Sequence, residues 1–286
     1  MSKIKIGLAQ LNSNDDVVKN VNQVLEIIDC IETDVDIVFF PENALFFRID
    51  EVEPIQYLEL ESEELKSIAK KCAEKKVYVH LGSISLIENG VPSNSSVLIT
   101  PSQKIIKAYS KLHLFDIQLN QEKAIRESDC FRRGEAPFVF QLKGWRFGQS
   151  ICYDLRFSEL YRFYNSLKVD VLLIPAAFLK KTGTAHWHVL NRARAIENQC
   201  YVVSSAQKGP HFSRKNERLT RETYGHALCV SPWGEVLVDL DDAPAVQVIE
   251  LDRTQIENVK KQIPMDSHRC QKSVEWIAGE IFLEGT

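Results

Sequence analysis

Apolar and polar positions change period several times along this chain, and each change marks an expected element. Residues 4–11 read as a strand. Behind Asp15 or Asp16, either of which can cap a helix, Val17, Val21, Val24, Leu25, Ile28 and Ile31 recur at helical spacing. Residues 36–40 form a short, nearly all-apolar run, as in a strand covered on both faces. The spacing then predicts a helix over 61–76 and a strand over 77–86. Residues 95–100 and 105–109 read as a strand pair turned at Pro101-Ser102-Gln103-Lys104.

The pattern recurs in the second half. Strands are expected over 138–142 and 146–151, joined at Lys143-Gly144, with a helix over 158–167 and a strand over 169–175. An Arg- and Ala-rich helix over 185–199 precedes strands over 200–206, 227–230, 235–240 and 246–251, and a short helix over 254–262 precedes a tail from 264 to 286. The longest irregular stretch, 208–224, sets Lys208, Arg214, Lys215, Arg218 and Arg221 against Glu217 and Glu222. It reads as a solvated surface loop or as a basic lid over an anionic substrate. No Gly/Ser/Pro-rich linker divides the chain, so residues 1–286 are expected to form one α/β domain in which helices cover mixed sheets.

Composition narrows the function. With 44% apolar and 26% charged residues the chain can bury a substantial core, and a net charge of −4 gives no reason to expect nucleic acid or an anionic membrane as partner. No apolar run approaches the roughly 20 residues needed to span a bilayer, and the N-terminus lacks the apolar region of a signal peptide. The seven cysteines are scattered, with no Cys-x-x-Cys pair, which argues against a disulfide framework or a zinc ribbon and for a reducing cytoplasm.

Candidate chemistry sits at strand ends. Cys152 follows the strand ending Gly148-Gln149-Ser150-Ile151 and shortly precedes a helix, an arrangement like a nucleophile elbow, although a lone cysteine is more often inert packing. Glu42, after Val38-Phe39-Phe40-Pro41 and before Asn43-Ala44-Leu45-Phe46-Phe47, is a carboxylate between apolar clusters, a setting that suits a base but is equally open to a plain loop glutamate. Lys111 ends 105–110, where an ammonium could lower a thiol pKa and stabilise an oxyanion, or simply snorkel. His186 and His188, at i and i+2 on a helix, point to different faces and suit a shared metal badly. His113 invites a Cys–His protease reading, but no orienting partner is identifiable. No Gly-rich nucleotide loop is present. Neither metal nor cofactor is expected.

Phe40-Pro41-Glu42, Tyr109-Ser110-Lys111-Leu112-His113-Leu114-Phe115-Asp116 and Ile151-Cys152-Tyr153-Asp154-Leu155-Arg156-Phe157, in that order, resemble the landmarks of the carbon–nitrogen hydrolase (nitrilase) superfamily. The likeness runs from about residue 3 to 251. It implies a four-layer α-β-β-α sandwich that assembles into dimers or larger homo-oligomers. It also implies Glu42 as general base, Lys111 as oxyanion-stabilising lysine and Cys152 as nucleophile. Glu127, seven residues before Gly134, resembles the second glutamate, which positions the lysine and the substrate. Residues 185–203, with Tyr224-Gly225-His226 and Pro232-Trp233-Gly234, are similar to amidases acting on deaminated glutathione or α-ketoglutaramate, with His188 standing where Glu is more familiar.

The implied reaction is hydrolysis of an amide of a small carboxylated substrate through a cysteine thioester, with the Tyr153 backbone N–H as second oxyanion donor. Arg156, Phe178 and Thr182 are the expected substrate contacts, although Arg156 could equally pair with Asp154 or Glu159. The alternatives are an N-carbamoyl or nitrile substrate, or an interaction module carrying a relic site.

Overall fold

The computed structural model describes residues 2–31, 34–50, 52–118, 124–215, 218, 220–241, 246–270 and 279–283. Its first half runs β1 (Lys3–Leu11), α1 (Val17–Cys30), β2 (Ile37–Phe39), α2 (Glu63–Lys75), β3 (Tyr78–Glu88), β4 (Val91–Ile99) and β5 (Ile105–Ser110), then the short pair β6 (Asp116–Ile117) and β7 (Ile125–Arg126). Next come β8 (Phe138–Leu142), β9 (Trp145–Gln149), α3 (Ser158–Ser166), β10 (Val171–Leu173), α4 (Lys180–Asn198) and β11 (Tyr201–Ser204). The chain closes with β12 (Ala206–Phe212), β13 (Thr220–Tyr224), β14 (Leu228–Val230), β15 (Val236–Asp239), β16 (Val246–Asp252), α5 (Arg253–Gln262), α6 (Met265–His268) and β17 (Gly279–Leu283). No helix among the described residues is long and apolar enough to cross a membrane.

The helix starts follow from side-chain caps. Asp16, rather than Asp15, accepts from the Lys19 N–H to open α1, and Ser62 opens α2 ahead of Glu63 and Glu64, where the helix dipole favours negative charge. One sheet orders β13-β12-β1-β2-β3-β4-β5, with β16 also paired to β1, and the other β15-β14-β11-β10-β9-β8-β17. Both mix parallel and antiparallel neighbours.

The apolar run of β2 shows the layering residue by residue. Val38 packs with α1 and α2 (Val24, Ile28, Leu65, Ile68), whereas Ile37 and Phe39 face the second sheet, the Phe39 and Phe147 rings lying 5.8 Å apart. Beyond the second sheet, Gly148 leaves room for the Tyr164 ring of α3, which packs beside α4. The result is the expected α-β-β-α sandwich. Each fully buried Val, Leu, Ile or Phe contributes roughly 1.5–3 kcal/mol.

Four expectations are corrected. Residues 208–212 and 220–224 are not irregular: β12 and β13 pair antiparallel, from Lys208↔Tyr224 to Phe212↔Thr220, while 216, 217 and 219 lie outside the described residues. Its inward positions are polar (Gln207, His211, Thr223) while Phe212 faces out, so the hydropathy pattern is inverted and signals no strand. The run 200–206 divides, β11 joining the second sheet and Ala206 opening β12 in the first, with Ser205 at the crossing donating to the Phe39 carbonyl. Helix α4 begins at Lys180, five residues earlier than expected, its first turns disguised by Lys, Thr and Gly. Finally, the tail contributes α6 and β17, the latter pairing in parallel with β8; 271–278 and 284–286 lie outside the described residues.

Candidate active site

Glu42, Lys111, Glu127, Cys152, Tyr153, Arg156, Phe178 and Thr182 all line one cavity of about 360 Å³. Three of them follow directly from strand ends: Glu42 after β2, Lys111 after β5, Cys152 after β9. Lys111 is fixed at both backbone ends, its N–H donating to the Asn94 carbonyl and its carbonyl accepting from Gly134. A Cβ on Gly134 would stand 2.1 Å from the Ser110 carbonyl oxygen, so only glycine permits that approach.

Cys152 heads a 3-10 turn, Cys152–Arg156, with its backbone in the left-handed region at φ 47°. This is the sharp elbow, and a non-glycine residue there stores roughly 1 kcal/mol or more of strain. Tyr153, in the first turn of that helix, carries an N–H with no intrahelical acceptor. Asp154 is fully buried and locks the elbow. Its Oδ2 accepts from Tyr109 Oη and Ile151 N at 2.8 Å, and its Oδ1 from His113 N at 2.9 Å and His113 Nδ1 at 2.7 Å.

The buried charges form a closed circuit. Lys111 Nζ lies 2.8 Å from Glu42 Oε1 and 2.8 Å from Glu127 Oε2. Asn94 Nδ2 donates to both carboxylates, at 3.2 Å to Glu42 and 2.7 Å to Glu127. Glu42 Oε2 accepts from Ala177 N at 2.9 Å, and Glu127 Oε2 from Phe115 N at 2.7 Å. Cys152 lines the same cavity as Glu42 and Lys111, and the charges of both act on its thiol. Burial pulls the Lys111 ammonium toward neutrality, but the charges of Glu127 and Glu42 outweigh it and hold its pKa well above the ordinary lysine value. Burial first, and then the Glu42 charge, push the Cys152 thiol well above its ordinary value. Lys111 does pull that thiol down, as expected from the sequence, but does not prevail. These directions favour a resting thiol over a preformed thiolate.

Other sequence expectations sort themselves by contact. Arg156 pairs with neither Asp154 nor Glu159: its Nη1 lies 3.1 Å from His186 Nδ1, and its guanidinium sits 5.1 Å over the Phe178 ring. His113 is committed to Asp154, stacks on Phe157 at 3.7 Å, and does not line the cavity, which removes the Cys–His protease arrangement. His186 and His188 do point apart, His188 toward Asp239. The sequence reading missed Asn94, which sits in an undistinguished polar strand, and the wall formed by Arg48 and Arg221. Arg221 lies 5.3 Å over the Phe47 ring. The excess of basic residues over 208–224 was the one available signal for it. Arg214 and Lys215 of that segment instead meet Asp16 and Glu53.

This sandwich, with a thiol, an ammonium and two carboxylates at strand ends, defines the chain as a hydrolase of the nitrilase type. The family model for carbon–nitrogen hydrolases matches residues 5–261, and the chain belongs to that family. It is 33% identical over 267 residues to a deaminated glutathione amidase of Synechocystis sp., spanning 91% of this chain and 96% of that one. Over 273 residues it is 30% identical to omega-amidase NIT2 of Xenopus tropicalis, spanning 94% and 96%. The crystal structure of the C. elegans NitFhit protein superposes with a TM-score of 0.82 at 30% identity, over 94% of this chain and 66% of that one.

Proposed function

We propose that the protein is a cysteine amidase that hydrolyses the amide C–N bond of a small dicarboxylated substrate of the deaminated glutathione type. The observation that supports this reading is the Lys111 ammonium joining Glu42 to Glu127 on the one cavity that Cys152 also lines. Cys152 Sγ attacks the carbonyl carbon as Glu42 takes its proton. The developing oxyanion is held by Lys111 Nζ and the Tyr153 N–H. Glu42 then returns the proton to the departing amine, leaving a thioester, and next deprotonates the water that cleaves it. Glu127 keeps the ammonium aimed. In this reading residues 1–286 act as one cytoplasmic hydrolase unit, assembled as a homodimer or higher homo-oligomer.

Arg156 over Phe178 and Arg221 over Phe47 place two guanidiniums on the cavity wall, which suits two carboxylates better than a neutral nitrile. Thr182 lies between them in sequence order on the same wall. The test is a panel of deaminated glutathione, α-ketoglutaramate, an N-carbamoyl amino acid and an aliphatic nitrile, scored by the released amine or ammonia. The dicarboxylated amide is expected to show the highest kcat/KM. Preferred turnover of the nitrile or the carbamoyl compound would overturn the substrate assignment.

A further inference from the structure

Away from the cavity, His188, His226 and Asp239 are the one group of three metal-capable side chains among the described residues, one ligand atom from each lying within 4.8 Å of the others. They arrive from three separate segments: α4, the turn after β13, and the last residue of β15. His188 Nε2 stands 2.8 Å from Asp239 Oδ2, and His226 Nδ1 stands 3.0 and 3.2 Å from the two Asp239 oxygens. We propose that these three side chains bind one divalent transition-metal ion of the zinc class, at a site separate from the hydrolytic centre.

Two imidazole nitrogens and a carboxylate oxygen are a donor set suited to such an ion. With bonds of about 2.0–2.1 Å in a tetrahedral site, neighbouring donors stand roughly 3.4 Å apart. The separations to Asp239, 2.8 to 3.2 Å, need to open by roughly 0.2–0.6 Å, the two imidazole nitrogens lie within 4.8 Å of each other, and one position remains for water. The surroundings point the same way. His226 Nε2 faces Asp241 Oδ1 at 3.6 Å, and the Asp241 N–H donates to Asp239 Oδ1 at 3.0 Å. The Tyr224 ring stacks on His226 at 4.3 Å, and Trp187 Nε1 donates to the His226 carbonyl at 2.8 Å. A metal-bound histidine characteristically hands its second N–H to a carboxylate. Here a metal on Nδ1 leaves an Nε2–H aimed at Asp241. The ion would tie α4 to β15 and to the end of the hairpin.

Chelator-treated protein, titrated with Co²⁺ as an optical probe, tests this. The expected result is one equivalent per chain with visible d–d bands and no thiolate charge-transfer band, displaced by Zn²⁺. His188→Gln and Asp239→Asn should each weaken uptake by more than about tenfold, and Asp241→Asn, which keeps all three ligands, by about tenfold. Zn²⁺ should raise the melting temperature of the parent and not of His188→Gln. Absence of uptake, a thiolate band reporting exposed Cys30 or Cys270, or unchanged affinity in the folded variants would each overturn the site, leaving a hydrogen-bonded His-Asp-His cluster.

Discussion

The floor and the mouth of the cavity hold their charges by different means. At the floor, Glu42 and Lys111 are 3% and 2% exposed, and each meets a fixed protein partner at 2.8 Å. At the mouth, Arg156 and Arg221 are half-buried and rest on aromatic faces, 5.1 and 5.3 Å from the rings. A ring engages only the face of a guanidinium. At the edge, Arg156 Nη1 lies 3.1 Å from His186 Nδ1, and Arg221 Nη1 donates to the Arg48 carbonyl at 3.4 Å. Buried charge-assisted bonds, by contrast, fix a group in one direction, and removing one partner strands the other. On the proposed assignment, the floor runs the reaction and the mouth selects the substrate.

That contrast can be attacked at several points. The largest effect should come at the nucleophile: Cys152→Ala is expected to lower kcat by roughly 10⁴-fold or more with the fold intact by circular dichroism. Turnover at the parent rate would end the assignment. Next, Glu42→Gln keeps the shape of the floor but removes the proton acceptor, with an expected loss of about 10²–10⁴ in kcat. At the mouth, Arg221→Gln should raise KM by about tenfold or more, the worth of one charge-assisted bond, with kcat nearly unchanged. If kcat fell in parallel, mouth and floor would not be separable.

The smallest effect is on stability. Burial pushes His80, between the sheets, and His211, in the hairpin, down to about 4. Below about 6.5 the unfolded chain takes up protons that these two rings refuse, so stability should fall as pH drops from 6.5 toward 4, by up to about 1.4 kcal/mol per pH unit for each ring. Urea unfolding across that window should show the slope shrinking by one proton in His80→Gln and in His211→Gln. An unchanged slope would mean that neither burial is as complete as the structure shows.

The floor was legible in the sequence because each of its groups ends a strand with a readable apolar pattern, as with Phe40-Pro41-Glu42 and Ile151-Cys152. The alternating periods made a layered α/β domain legible, while the four-layer sandwich came from the resemblance to carbon–nitrogen hydrolases. At the mouth, Arg156 and the basic excess around Arg221 were legible but the hairpin was not, because β12 turns Gln207 and His211 inward and Phe212 outward, satisfying its buried side by hydrogen bonds such as His211 Nε2 to Thr223 Oγ1 at 2.7 Å. Hydropathy cannot register a strand of that kind. Asn94 and the His188–His226–Asp239 cluster escaped because each depends on contacts between residues far apart in the chain, 52 positions in the case of Asn94 and Glu42.

The left-handed backbone at Cys152 has a practical corollary. A glycine would occupy that reversal more comfortably than any residue bearing a Cβ. Laboratory selection for heat resistance alone would therefore favour inert proteins altered at this position, and any effort to toughen the enzyme has to score product formation in the same round.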